Sequence, residues 1–167
     1  MSDPGYDNDT WCAGVVKNCL PGIWEGYLSQ SDEGEWGMRV SMVVARHKDC
    51  STRISACDLL RTDEEKIYWD SPWKLVDFEI GVDSGQAGIF DENMFRNEAQ
   101  FTSFPRDLGW ECDSKWYANC CALTLSEKSG GVIPCGVVSS SGFGDGIYSG
   151  FIHVNRSNQV DIVAIVF

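Results

Sequence analysis

The sequence predicts an all-β fold, a mainly antiparallel β-sandwich or partly closed barrel with one short helix. Two segments set the pattern. In 73–82, Val76, Phe78, Ile80 and Val82 share one face while Asp77 and Glu79 share the other, the period of two of a half-buried strand. In 160–167, Val160, Ile162, Ala164 and Val166 oppose Val163, Ile165 and Phe167, so both faces are apolar and a central, doubly covered strand is expected. Composition agrees: 17 glycines and 7 tryptophans supply turns and broad, flat side chains, and no long apolar stripe runs at helical spacing. A chain of 167 residues has room for one domain burying roughly 70% of its unfolded surface. That domain is expected over 21–167, preceded by a loosely held N-terminal arm, 1–20, which Trp11 and Cys12 pin to the body.

The elements follow in order. Segments 23–28 and 37–45 flank the polar, glycine-containing stretch 31–34 and read as a hairpin, with Met38, Val40, Met42 and Val44 on one face. A strand is expected at 52–57 and a charged loop at 62–66. After 73–82 comes a short strand at 86–90. Asp91 is placed to cap a helix over 91–99, with Glu92 where the helix dipole favours an anion, and Pro105 ends it. Segment 116–125 is readable both ways, but the order Tyr117, Asn119, Cys121, Leu123, Leu125 favours a strand. Segments 132–139, 147–155 and 160–167 complete eight or nine strands, with a turn at Ser157 and Asn158.

Thirteen Lys and Arg against 25 Asp and Glu give a net charge of −12. A nucleic acid or an anionic membrane needs a basic face, and the one basic cluster, Arg46, His47, Lys48 and Arg53, is interrupted by Asp49. Nucleic acid and membrane are therefore excluded as partners, while cations and basic protein surfaces stay open. No run approaches a membrane span, and residues 1–10 lack the basic start and apolar run of a secretory signal, so a cytoplasmic location is expected. The eight cysteines, Cys12, Cys19, Cys50, Cys57, Cys112, Cys120, Cys121 and Cys135, contain no C-x-x-C. Buried, mostly reduced thiols are expected, with no zinc, no other metal and no cofactor.

Three constellations offer chemistry. Asp83 and Ser84, followed by glycine and by Asp91 beyond the next strand, could form a carboxylate site or a hard-cation site, or simply an Asx turn between strands. The loop 139–146, Ser-Ser-Ser-Gly-Phe-Gly-Asp-Gly, lacks the Gly-Lys-Ser/Thr ending of a phosphate loop and is followed by a strand, so Asp145 reads as a ligand-loop or turn residue. His153 shares a strand face with Phe151 and Asn155 and would need a Ser139–Ser141 hydroxyl or a Cys thiol, plus an orienting group, to serve as a base. Trp24, Trp36, Trp69, Trp73, Trp110 and Trp116 could build a sugar platform or fill a core. Asp83 and Asp145 both adjoin strands through glycine-bearing connections, so the two are expected to approach each other on one edge of the fold.

The series 36–45, then Gly81 to Asp91, then Val138 to Tyr148, then an apolar C-terminal strand resembles the domain of unknown function 4241 family over roughly 36–167. The chain departs from that pattern after Tyr148, where Ser149-Gly150 replaces a proline-containing segment. The resemblance pairs Asp83 with Asp145 but implies no activity. It implies a virus- or toxin-associated setting only by analogy. The leading expectation is a non-enzymatic binding or structural protein acting through protein–protein contacts, with a protein partner or a second copy of itself. The alternatives are a hydrolase-like or cation-dependent enzyme using Asp83 and Asp145, and a small-ligand or carbohydrate-binding domain.

Overall fold

The computed structural model describes residues 1–52, 72–105, 108 and 112–167. The strand expected at 52–57, apart from its first residue, and the loop at 62–66 lie outside these, as do Cys57, Trp69 and Trp110. β1 (Trp24–Asp32) and β2 (Met38–His47) form the expected antiparallel hairpin, joined by a 3₁₀ turn over Gly34–Trp36. They continue into a sheet of order β1-β2-β9-β8-β3, in which β9 is Val160–Val166, β8 is Gly146–Val154 and β3 is Trp73–Leu75. β4 (Ile80–Val82) pairs with the first residues of β8, beyond the stretch taken by β3. A second sheet has the order β5-β7-β6, from Gln86–Phe90, Gly136–Ser140 and Gly130–Ile133. Every strand pair is antiparallel, and neither sheet closes into a barrel.

The layers follow from which faces are apolar. Val43, Ala45, Ile80, Val163 and Ile165 of the large sheet meet Ala87, Ile89 and Val137 of the small one. Behind the small sheet, helix α1 (Lys115–Thr124) contributes Trp116 and Cys120 to a second core with Phe101, Ile133, Cys135 and Val138. On the opposite side of the large sheet, Met42, Val44, Phe151, Ile162, Ala164 and Val166 are also buried. β9 is thus covered on both faces, as its two apolar rows require.

Four expectations are corrected. Segment 73–82 keeps its alternation, with Ile80 and Val82 buried and Asp77 and Glu79 exposed, but the ladder breaks into β3 and β4 between Val76 and Glu79. Segment 132–139 is two strands, β6 and β7, turned at Pro134 and Cys135. The helix expected over 91–99 does not form. Asp91 Oδ1 accepts from the Asn93 amide, which commits the chain to a turn, Arg96 takes a positive φ of 56°, and only a 3₁₀ turn over Glu98–Gln100 follows. The helix is instead at 115–124, where a strand was favoured. Ser114 Oγ accepts from the Tyr117 amide, and the Glu98 carboxylate accepts from the amides of Lys115 and Trp116. The buried set is Trp116, Ala118, Cys120, Cys121 and Thr124, a helical stripe, and Leu125 of the expected strand face lies exposed.

The N-terminal segment, expected as a loose arm, is built into the body. Ser2 exchanges backbone hydrogen bonds with Gly88 of β5, and Met1, Ser2, Asp3 and Cys12 are buried. Among the described residues no helix is long and apolar enough to cross a membrane.

Replacing Ile165 by Ala is expected to cost about 2–5 kcal/mol, and deleting residues 161–167 to abolish cooperative unfolding, both read by thermal melting. A truncated chain that melts like the full one would refute the central role of β9. For the helix, Ser114→Ala is expected to cost about 1 kcal/mol. Burial alone would raise the Glu98 pKa, but bonds from Ser114 Oγ and the Trp116 and Lys115 amides outweigh it and hold the carboxyl below its usual range. A carboxylate lowered in the folded state stabilises above its unfolded pKa and loses that contribution as pH falls through its folded one. The stability gap between the native chain and Glu98→Gln should therefore narrow in acid urea titrations below about pH 4.

Candidate functional site

The structure brings the two glycine-acidic loops together. Val82 pairs with Gly146, so Asp83 and Asp145 leave adjacent strands at the same end. Asp145 Oδ1 accepts from the Gly85 amide at 3.0 Å, and the Ser141 amide donates to the Gly85 carbonyl at 2.9 Å. Each loop is thereby tied to the other. Gly85 sits at φ 68° and Gly142 at φ 68°; a Cβ on Gly142 would lie 2.4 Å from the Val40 carbonyl oxygen, so glycine is required there. The Ser141 hydroxyl and the Tyr148 hydroxyl both donate to the Gly144 carbonyl.

Asp83 and Ser84 are held from a residue that the sequence did not single out. Asp3 is fully buried, and its carboxylate accepts from the amides of Asp83 and Ser84, from Ser84 Oγ and from the Gly5 amide. Tyr6 donates to Asp83 Oδ2, and that bond pushes the phenol pKa up to about 12. The polar groups of the two loops thus hold one another and the N-terminal segment in place. Asp3 was not legible, because nothing local to residues 1–20 shows that the segment reaches a loop 80 residues away.

Asp91 lies elsewhere, at the margin of a cavity of about 490 Å³ between the N-terminal segment, β1, β5 and β7. Its wall includes Trp24, Ile89, Phe90, Phe95 and Val137, and among the described residues the charged side chains on it are Glu25, Asp91 and Glu92. Trp24 is therefore a cavity residue, whereas Trp116 is enclosed by Phe90, Phe95 and Phe101, which removes it from any sugar platform.

His153 is in a third place, on the far face of the large sheet. Its Nδ1 lies 2.5 Å from Asp161 Oδ1, both side chains are about nine-tenths buried, and the Trp73 ring stands edge-on at 5.0 Å. Cys50, His153 and Asp161 offer donor atoms within 4.8 Å of one another. Asp161 was legible in one respect: it is the single charge inside an apolar strand.

A family model described as protein of unknown function (DUF4241) matches residues 25–166. The chain belongs to the DUF4241 family. The match takes in all but the first residue of β1 and both glycine-acidic loops, as well as Cys50, His153 and Asp161; the segment carrying Asp3 and Tyr6 precedes it. No curated protein and no solved structure matches this DUF4241 chain.

Asp3→Ala would remove the acceptor of the partly buried amides of Gly5, Asp83 and Ser84 and is expected to cost about 1–3 kcal/mol, with amide exchange accelerated first at 83–84. The seven described cysteines are unpaired. Burial pushes Cys135 up to about 11 and Cys120 higher still, so both should resist alkylation in the native protein; Cys19, raised by burial as well but exposed, should react faster than either. Mass mapping of the alkylated sites checks this order.

Proposed function

We propose that this DUF4241 protein binds a small molecule with an apolar body and a positively charged group, seated in the cavity beneath its N-terminal segment. The cavity carries the reading. Its volume of about 490 Å³ falls in the usual range for ligand sites, roughly 300–1,000 Å³, and apolar side chains dominate its wall. Among the described residues no Lys, Arg or His side chain lines it, while Glu25, Asp91 and Glu92 do; the Met1 ammonium, which donates to the Gly14 carbonyl, is pushed down to about 6 by burial and so favours its neutral form at pH 7. Lys17 approaches Glu92 at 3.5 Å and Arg46 approaches Glu25 at 3.6 Å, which leaves Asp91 as the lining carboxylate without an ion pair among the described residues. The net charge of −12 acts in the same direction, attracting a cation and repelling an anion.

Enzymatic use of Asp83 and Asp145 has less support. Asp83 accepts from Tyr6 and Asp145 from the Gly85 amide, so both carboxylates serve the joining of loops. The protein-contact reading has one favourable observation. Trp36, Met38 and Phe143 are each more than half exposed, and Arg39 joins their two segments by donating to the Trp36 and Gly142 carbonyls. With Asp32, Glu33 and Glu35 on the same hairpin, that surface suits a basic protein partner.

The test uses phenylbutylamine, phenylbutanol and phenylbutyrate, three probes with one apolar body and different heads. Titration calorimetry should rank amine above alcohol above acid, with the amine at least about tenfold tighter than the acid, or ~1.4 kcal/mol. Val16→Trp, which narrows the cavity, should weaken all three, and Asp91→Asn should weaken the amine alone. Equal affinity for amine and acid would overturn the charge assignment, and no binding by any probe would overturn the cavity reading.

A further inference from the structure

We infer that Cys50, His153 and Asp161 form a transition-metal site of the zinc type on the far face of the large sheet. The three supply a sulfur, a nitrogen and an oxygen donor, a mixed set suited to Zn²⁺, and their donor atoms already lie within 4.8 Å of one another. The backbone explains why they converge. His153 pairs with Ile162 and Val154 with Val160, so Asp161 is the extra residue of a bulge in β9. Bulges re-aim side chains, and this one turns a carboxylate onto the His153 ring instead of leaving it among apolar neighbours. Cys50 arrives from the turn after β2, where its amide donates to the His47 carbonyl, and it packs against the same apolar cluster as Trp73.

The His153–Asp161 contact has to open, and the Cys50 sulfur, now within 4.8 Å of both, has to stand roughly 3.6 Å from each. Two ligands at about 2.0–2.1 Å from a tetrahedral zinc stand roughly 3.3 Å apart. His153 Nδ1 and Asp161 Oδ1, 2.5 Å apart around a hydrogen bond, need to separate by less than an ångström. The cation then takes the place of the proton between them, which passes by way of solvent to His153 Nε2 so that the ring ligates through Nδ1 as the neutral tautomer, and Cys50 binds as its thiolate with its proton lost to solvent. Three donors leave a fourth tetrahedral position for water or a small ligand, the arrangement of reactive rather than purely structural zinc. No C-x-x-C announces such a site, because its ligands come from positions about 100 residues apart in the chain. The site is separate from the cavity and does not depend on the ligand proposed for it.

Cobalt(II) titration of the reduced, full-length chain tests the inference. One equivalent should give tetrahedral ligand-field bands with a thiolate-to-cobalt charge-transfer band, and zinc should displace it. Cys50→Ser should remove the charge-transfer band, Asp161→Asn should weaken cobalt at least tenfold, and Cys19→Ser should change nothing. Cys50 is only half-buried, so its serine variant keeps the test readable if the Asp161 variant fails to fold. Absence of a tetrahedral spectrum, or a charge-transfer band that survives in Cys50→Ser or disappears in Cys19→Ser, would overturn the proposal.

Discussion

A seven-residue strand buried on both faces has no water for its backbone, so it must be flanked by a hydrogen-bonding strand along each edge. β9 is in that position, and β2 and β8 are its two partners. The rest of the molecule is arranged to cover them. The small sheet lies over Val163 and Ile165, the N-terminal segment fills beside it with Met1, and α1 covers the small sheet in turn. The one charge on β9 obeys the same constraint: a buried carboxylate must be paired, and His153 across the bulge pairs it.

What could be read in the sequence was what is local. The hairpin of β1 and β2, the short β5 and the doubly apolar β9 each announce themselves within ten residues. Elements decided by distant partners could not be read this way. α1 looked like a strand because its N-terminus is held by Glu98, 17 residues before its first residue, and because its buried stripe depends on residues of β6 and β7, which follow it in the chain, and on Phe101, which precedes it. Asp91 looked like a helix cap because its side chain does accept a backbone amide, but it does so within a turn. The pairing of Asp83 with Asp145 at one end was foreseeable from strand adjacency; the buried carboxylate of Asp3 beneath them was not.

The glycine-acidic loops of this DUF4241 chain therefore read as a clasp. Asp145 closes the loop that Asp83 opens, and Asp3 ties that loop to the N-terminal segment. The same segment walls the proposed ligand cavity through Met1, Ser2 and residues 13–16. The N-terminal segment is thus shared between the loop it anchors and the cavity wall, although Asp83 and Asp145 do not themselves line the cavity.

The outer edge of the large sheet has a consequence of its own. Among the described residues β1 pairs on one side only, leaving a nine-residue row of backbone donors and acceptors. Such a row is a template on which a second polypeptide can add as a further strand. Glu25 and Asp32 place negative charge along it, and the register shift at Ser29 and Gln30 kinks it. Two copies meeting edge to edge would bring like charges together on a bent ladder. Acidic charge and a bend along that edge therefore disfavour the pairing of two copies there.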